Sequence, residues 1–169
     1  MSERAAGDLR ANLASIAPGE PVDGVCRPGH LGDPLDAWAD ALAAREVDRV
    51  VCLLSAPEAI RWGLPRAYAD RFEVAHAPIR DRHLPDEATL TAALDAIRVT
   101  AADGGGRVAV HCNAGLGRTG IVSAAWLARE RGYAPTEAIE TVERAGRAPR
   151  EAIRCGNATE AELLDLLGR

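Results

Sequence analysis

The chain has 169 residues, of which 47% are apolar, 27% charged and 4% aromatic, and its net charge is −5. That length suits one domain whose core needs no metal or disulfide to hold it. The negative balance and the scarcity of aromatic residues exclude a broad basic face for nucleic acid or an anionic membrane surface.

Residues 1–21, punctuated by Pro18, Gly19 and Pro21, read as an irregular N-terminal segment of a single domain spanning 1–169. Val22–Cys26 is a short strand candidate. Asp33-Pro34 marks a helix start, with the acid as N-cap and the proline at the first helical position. That helix runs to Arg45 with Leu35, Trp38 and Leu42 on one face. Val47–Leu54 is apolar and β-branched, the pattern of a buried strand. Ser55 with Glu58 three residues on is a capping box that opens a short helix. Phe72–Ala77 is a further strand. Asp86 to Ala102 is amphipathic, with Leu90, Leu94 and Ile97 at helical spacing. Arg107–His111 is another buried strand, and a glycine-rich turn, Cys112–Gly117, leads from it into a helix over Arg118–Arg131. Thr136–Arg147 and Thr159–Gly168 are the last two helices. Strands alternating with helices predict an α/β fold, with a central, mostly parallel sheet flanked by helices and ligands at the carboxyl ends of the strands.

No stretch is apolar enough to serve as a signal or a membrane span, so a soluble cytoplasmic protein is expected. The cysteines, at 26, 52, 112 and 155, have no Cys-x-x-Cys spacing. No disulfide framework, zinc site, metal or cofactor is expected.

Chemistry concentrates in Val108–Ile121, VAVHCNAGLGRTGI. Arg118 follows Cys112 by six positions. All 20 basic residues of the chain are Arg, so that spacing alone is a weak signal. His111, Gly115, Gly117, Thr119 and Gly120 around it make it strong, as does the strand-to-helix context. A thiolate is the nucleophilic form of cysteine, and a helix N-terminus with converging N–H groups favours it. Those N–H groups also suit phosphoryl oxygens, and Arg118 adds a planar fork. The Thr119 hydroxyl can donate to the sulfur and make it a better leaving group.

This segment resembles the signature loop of the Cys-dependent protein tyrosine phosphatases, His-Cys-x5-Arg-[Ser/Thr]-Gly, and is most similar to the small dual-specificity group. The resemblance spans residues 22–147. It implies a tyrosine-phosphatase-like fold with a phosphate-binding loop between a strand and a helix. It also implies attack by Cys112, a phosphocysteine intermediate and its hydrolysis. His111, Asn113, Ala114, Gly115, Leu116, Gly117, Arg118 and Thr119 map onto the loop. The family takes a general acid from an upstream loop, and His76–Pro85 supplies Asp81, with Asp86 as a second candidate that looks like a helix cap. The family's water-positioning Gln has no counterpart, because the chain contains no Gln; Asn157 is the substitute candidate.

The implied partner is a phosphorylated protein, carrying phosphotyrosine and, in a shallow pocket, phosphoserine or phosphothreonine. Asn113 and Leu116 are uncharged where lipid-phosphatase relatives carry Lys, which favours a singly phosphorylated group over an inositol polyphosphate. Competing readings are a phosphatase of small esters, a catalytically silent phosphate-binding module and a rhodanese-like enzyme. Cys52 and Cys26 read as core residues, Cys52 and Cys155 having a redox role as the alternative. The three Trp residues read as core, and His30, His76, Arg82 and His83 as ordinary loop or strand-end residues.

Overall fold

The computed structural model describes residues 12–102 and 105–169. Residues 1–11 of the expected irregular segment lie outside that range. The rest of that segment is not wholly irregular, because Ala14–Ser15 forms a short strand, β1, antiparallel to β2 (Val22–Val25). The other strands are β3 (Val47–Cys52), β4 (Glu73–His76) and β5 (Arg107–His111). The sheet order is β1-β2-β5-β3-β4, and every pairing except β1–β2 is parallel.

Helices cover both faces, as a parallel sheet requires. On one side lie α3 (Glu87–Ala101), α4 (Gly117–Arg131), α5 (Pro135–Arg144) and α7 (Glu160–Leu167), whose Leu90, Ile97, Val122, Ile139 and Leu163 pack on Val51, Val108 and Val110. On the other lie α1 (Leu35–Ala44) and α2 (Ala56–Trp62), with Trp38, Leu42 and Tyr68 against Val50, Cys52 and Ala109. Successive strand side chains face opposite ways, so Val50 and Cys52 join one cluster and Val51 and Leu53 the other. A four-residue helix, α6 (Glu151–Arg154), follows α5. None of the described helices is long and apolar enough to cross a membrane.

Most expected element boundaries hold to within a residue or two. Pro34, not Asp33, occupies the N-cap of α1, with its carbonyl accepting from Trp38 N at 3.0 Å. α5 ends at Arg144 rather than Arg147, since Gly146 takes φ +93° and turns the chain. Trp38 and Trp126 are buried as expected. Trp62 is only partly buried, with the Arg27 guanidinium 3.8 Å above its ring.

The carboxyl ends of β2, β3, β4 and β5 share one edge of the sheet. Cys26, Ser55, the Asp81 loop and Cys112 therefore emerge together, and the site is built there.

Candidate active site

Cys112 follows β5 directly, and the chain curls through Asn113–Leu116 into the first turn of α4. Each carbonyl of this loop is held from outside it. Cys112 O accepts from His111 Nδ1 at 2.9 Å and Asn113 O from Arg27 N at 3.0 Å. Ala114 O accepts from Asn12 Nδ2 at 2.9 Å and Gly115 O from Arg147 Nη1 at 2.8 Å. Leu116 O accepts from Ala148 N at 2.9 Å and Gly120 N at 3.0 Å. A trans peptide sets its N–H opposite its C=O. With five successive carbonyls tied outward, the N–H groups of residues 113–117 are turned to the concave side. Such a ring of converging N–H groups is a geometry that can take an anion.

Glycine is required at 115. Its φ is +75°, and a Cβ there would stand 2.5 Å from the carbonyl carbon and oxygen of Val25. Arg147 backs the loop. It is 5% exposed, and its Nη2 also donates to Gly24 O and Asn12 O, both at 2.8 Å. A Cβ on Gly24 would meet the Arg147 Nε at 2.6 Å.

Cys112 Sγ accepts a hydrogen bond from Thr119 Oγ1 at 3.3 Å. Arg118 is buried among acceptors. Its Nη1 donates to Glu58 Oε1 at 2.6 Å and Ile79 O at 3.0 Å, and its Nη2 to Glu58 Oε2 at 3.0 Å. Asp81 Oδ1 lies 3.2 Å from the same Nη2. The Arg118 Nε–H is buried without a protein partner. Among the described residues Arg107, Arg129 and Arg147 share that condition, but only Arg118 lines the cavity over the loop. That cavity, about 470 Å³, is bounded by Cys112, Asn113, Ala114, Gly117, Arg118, Asp81 and residues at its mouth.

The structure thus brings Asp81 to the loop and keeps Asp86 away from it. Asp86 caps α3, accepting from Thr89 N at 2.7 Å. Asn157 does not line the cavity. Its Nδ2 donates to Arg82 O at 2.9 Å, so its amide anchors the acid loop rather than facing the site. His111 is wholly buried. Its Nδ1–H goes to the Cys112 carbonyl, so the neutral ring's Nε2 accepts from Tyr68 Oη at 2.6 Å. Burial drags its pKa down to about 4, against the hydrogen bond to the carbonyl.

Three contributors escaped the sequence reading. Glu58 was legible only as a capping residue. It does cap, taking Ser55 N at 3.1 Å and Ser55 Oγ at 2.7 Å, and the same oxygen takes Arg118. Burial pushes the Glu58 carboxyl up, but hydrogen bonds from Arg118 and Ser55 and the Arg118 charge outweigh it and hold the pKa at about 2. Arg27 holds Asn113 twice, its Nε donating to Asn113 Oδ1 at 2.8 Å. Glu151 leans on the loop, since a Cβ on Gly117 would be 2.9 Å from its Oε1. No local pattern marks these long-range partners.

A family model described as "Polymorphic toxin system, DSP-PTPase phosphatase" matches residues 24–132. The chain belongs to this family. It is a Cys-dependent phosphatase of the small dual-specificity type. The solved structure of Tk-PTP in its active form is 29% identical and superposes with a TM-score of 0.69, over 92% of this chain and 95% of that one. A single-residue mutant form of Tk-PTP is 30% identical, with a TM-score of 0.68 over 92% and 93%. Human DUSP28, at 19% identity and a TM-score of 0.64 over 92% and 89%, shares the fold. No curated protein matches the sequence.

Among the phosphatase's other thiols, Cys26 and Cys52 are pushed by burial up to about 11 and stay protonated. Both belong to the cluster on the face of the sheet opposite Cys112. Cys155 is exposed and lines the cavity.

Proposed function

We propose that the phosphatase hydrolyses phosphotyrosine in protein substrates, and phosphoserine and phosphothreonine as well, through a phosphocysteine on Cys112. The observation that carries this reading is the buried Arg118 fork. Its terminal nitrogens are held by Glu58 and Ile79 while its Nε–H, on a residue lining the cavity with Cys112, has no protein acceptor. A phosphoryl oxygen supplies that acceptor.

The Cys112 thiolate attacks phosphorus, and the S–P bond forms as the P–O bond to the leaving group breaks. The loop N–H groups and Arg118 take up the negative charge on the non-bridging oxygens. Asp81 gives its proton to the leaving oxygen. Water then gives a proton to the Asp81 carboxylate and attacks the phosphocysteine, and the S–P bond breaks with sulfur departing as thiolate, helped by the Thr119 hydroxyl. His111 holds the cysteine carbonyl back so that the next N–H faces inward.

The test is a panel of phosphotyrosine, phosphoserine and phosphothreonine peptides with a nitrophenyl phosphate control. Cys112→Ser should abolish turnover. Asp81→Asn should lower kcat by about 10²–10³ on the peptides and much less on the nitrophenyl ester, whose leaving group needs little protonation. Wild-type turnover by Cys112→Ser would sink the reading. Equal losses on both substrates with Asp81→Asn would remove its acid role.

A further inference from the structure

Trp38 and Trp126 are closed over by the core, and Trp62 is not. It stands in the last turn of α2. Gly63, at φ +65°, ends the helix there, and Leu64 turns back inside. The indole is left half-buried, packed with Leu35 at the edge of the cluster that holds Trp38 and Tyr68. A cavity of about 190 Å³ opens beside it, lined by Arg27, Pro28, Leu35, Trp62, Leu64 and Ala67. Its only carboxylate among the described residues is Asp33, itself 7% exposed, so the wall is mostly apolar. Sites for separate small ligands take about 300–1,000 Å³. This one has room for a single side chain.

The cavity adjoins the one over Cys112, and the Arg27 guanidinium joins them. Its Nε donates to Asn113 Oδ1 at 2.8 Å, and its Cζ stands 3.8 Å above the Trp62 ring. Asn113 lines the cavity over Cys112. Residues 27–30 form the ridge between the two, with Pro28 and Gly29 on one cavity and His30 on the other. The indole is thus one guanidinium away from the wall of the catalytic cavity. An extended chain advances about 3.3–3.6 Å per residue, so a peptide with its phosphorylated residue in the loop reaches Trp62 within about three positions. We propose that this cavity is a side-chain subsite of the phosphopeptide. It selects substrates that carry a large apolar residue (Leu, Met or Phe) within three positions of the residue being dephosphorylated. This rests on the phosphatase reading and narrows its substrate class through an uncharged contact.

Complete burial of a large apolar side chain is worth roughly ten- to a hundredfold in an equilibrium, and an open cavity recovers the lower end. The experiment places Leu, Ala or Asp at each of the three positions on either side of phosphotyrosine in an otherwise fixed peptide. It measures kcat/KM with wild type and binding with Cys112→Ser. At one position the wild type should favour Leu over Ala by about tenfold. The preference should persist at about 0.5 M salt, which screens charges and leaves apolar contact intact. Trp62→Ala removes the wall, and Ala67→Leu fills the cavity from its rim; each should bring that ratio near one. Each ratio compares two peptides on one variant, so a disturbance of the catalytic loop cancels. A wild-type ratio near one at every position overturns the subsite. So does a Leu preference that salt abolishes, or that any folded variant leaves intact. If the wild type hydrolyses no peptide, the phosphatase reading fails instead. A Leu preference in binding would then still support the subsite, and its absence would overturn it.

Discussion

A single carboxylate ties the opening of one helix to the arginine that lines the cavity over the loop. Glu58 caps α2 and clamps Arg118 with the same group. Glu58→Gln keeps a capping acceptor but removes the charge that fixes the arginine fork. We expect kcat/KM on phosphopeptides to fall about tenfold, a loss of about 1.4 kcal/mol in transition-state stabilisation, with thermal unfolding little changed; an unaltered rate would show that the fork holds itself. The residue level is also where the sequence was least legible. Cys112, Arg118 and Thr119 are neighbours in sequence, so their pattern was visible. Glu58 lies sixty positions before Arg118, and nothing in its local context separates a capping glutamate from one that also clamps a distant cation. The hydrogen bond from Asn157 to the Arg82 carbonyl was illegible for the same reason, because the two residues lie 75 positions apart.

The Asn113–Leu116 loop is an element without internal hydrogen-bond support, and its shape comes from the donors around it. Gly115→Ala tests this. The new Cβ would press on backbone rather than on a movable side chain. We expect turnover to fall at least tenfold while helix content measured by circular dichroism stays as in the wild type; full activity would mean that the loop tolerates a displaced β2. The regular elements were mostly legible because their signals are local. Alternation and β-branching marked the strands, and the capping box at Ser55 and the cap at Asp86 marked helix starts. What was not legible at this level is β1, a two-residue strand too short for any periodicity, and the bulge near Val47–Arg49.

At the scale of the whole molecule, the buried neutral His111 predicts acid sensitivity. An unfolded imidazole titrates near 6.5, and burial drags this one to about 4. The unfolded chain therefore binds more protons between these values. The stability this contributes is complete above pH 6.5 and is lost as pH falls toward 4, by up to about 1.4 kcal/mol per pH unit. Urea midpoints between pH 7 and 4.5 should fall less steeply in His111→Gln than in the wild type, and equal slopes would rule the group out. Arg147 has a different bearing on the molecule as a whole. It joins the carbonyls of Asn12, Gly24 and Gly115, so a residue near the end of the chain braces a loop that precedes it by about thirty residues. During synthesis Arg147 is added after the whole of the loop it braces. A chain that stops short of it carries the Cys112 loop without the donor that holds Gly115 O. Fragments ending before residue 147 should therefore fail to turn over nitrophenyl phosphate, however well their sheet forms, and a wild-type rate would show the brace to be dispensable.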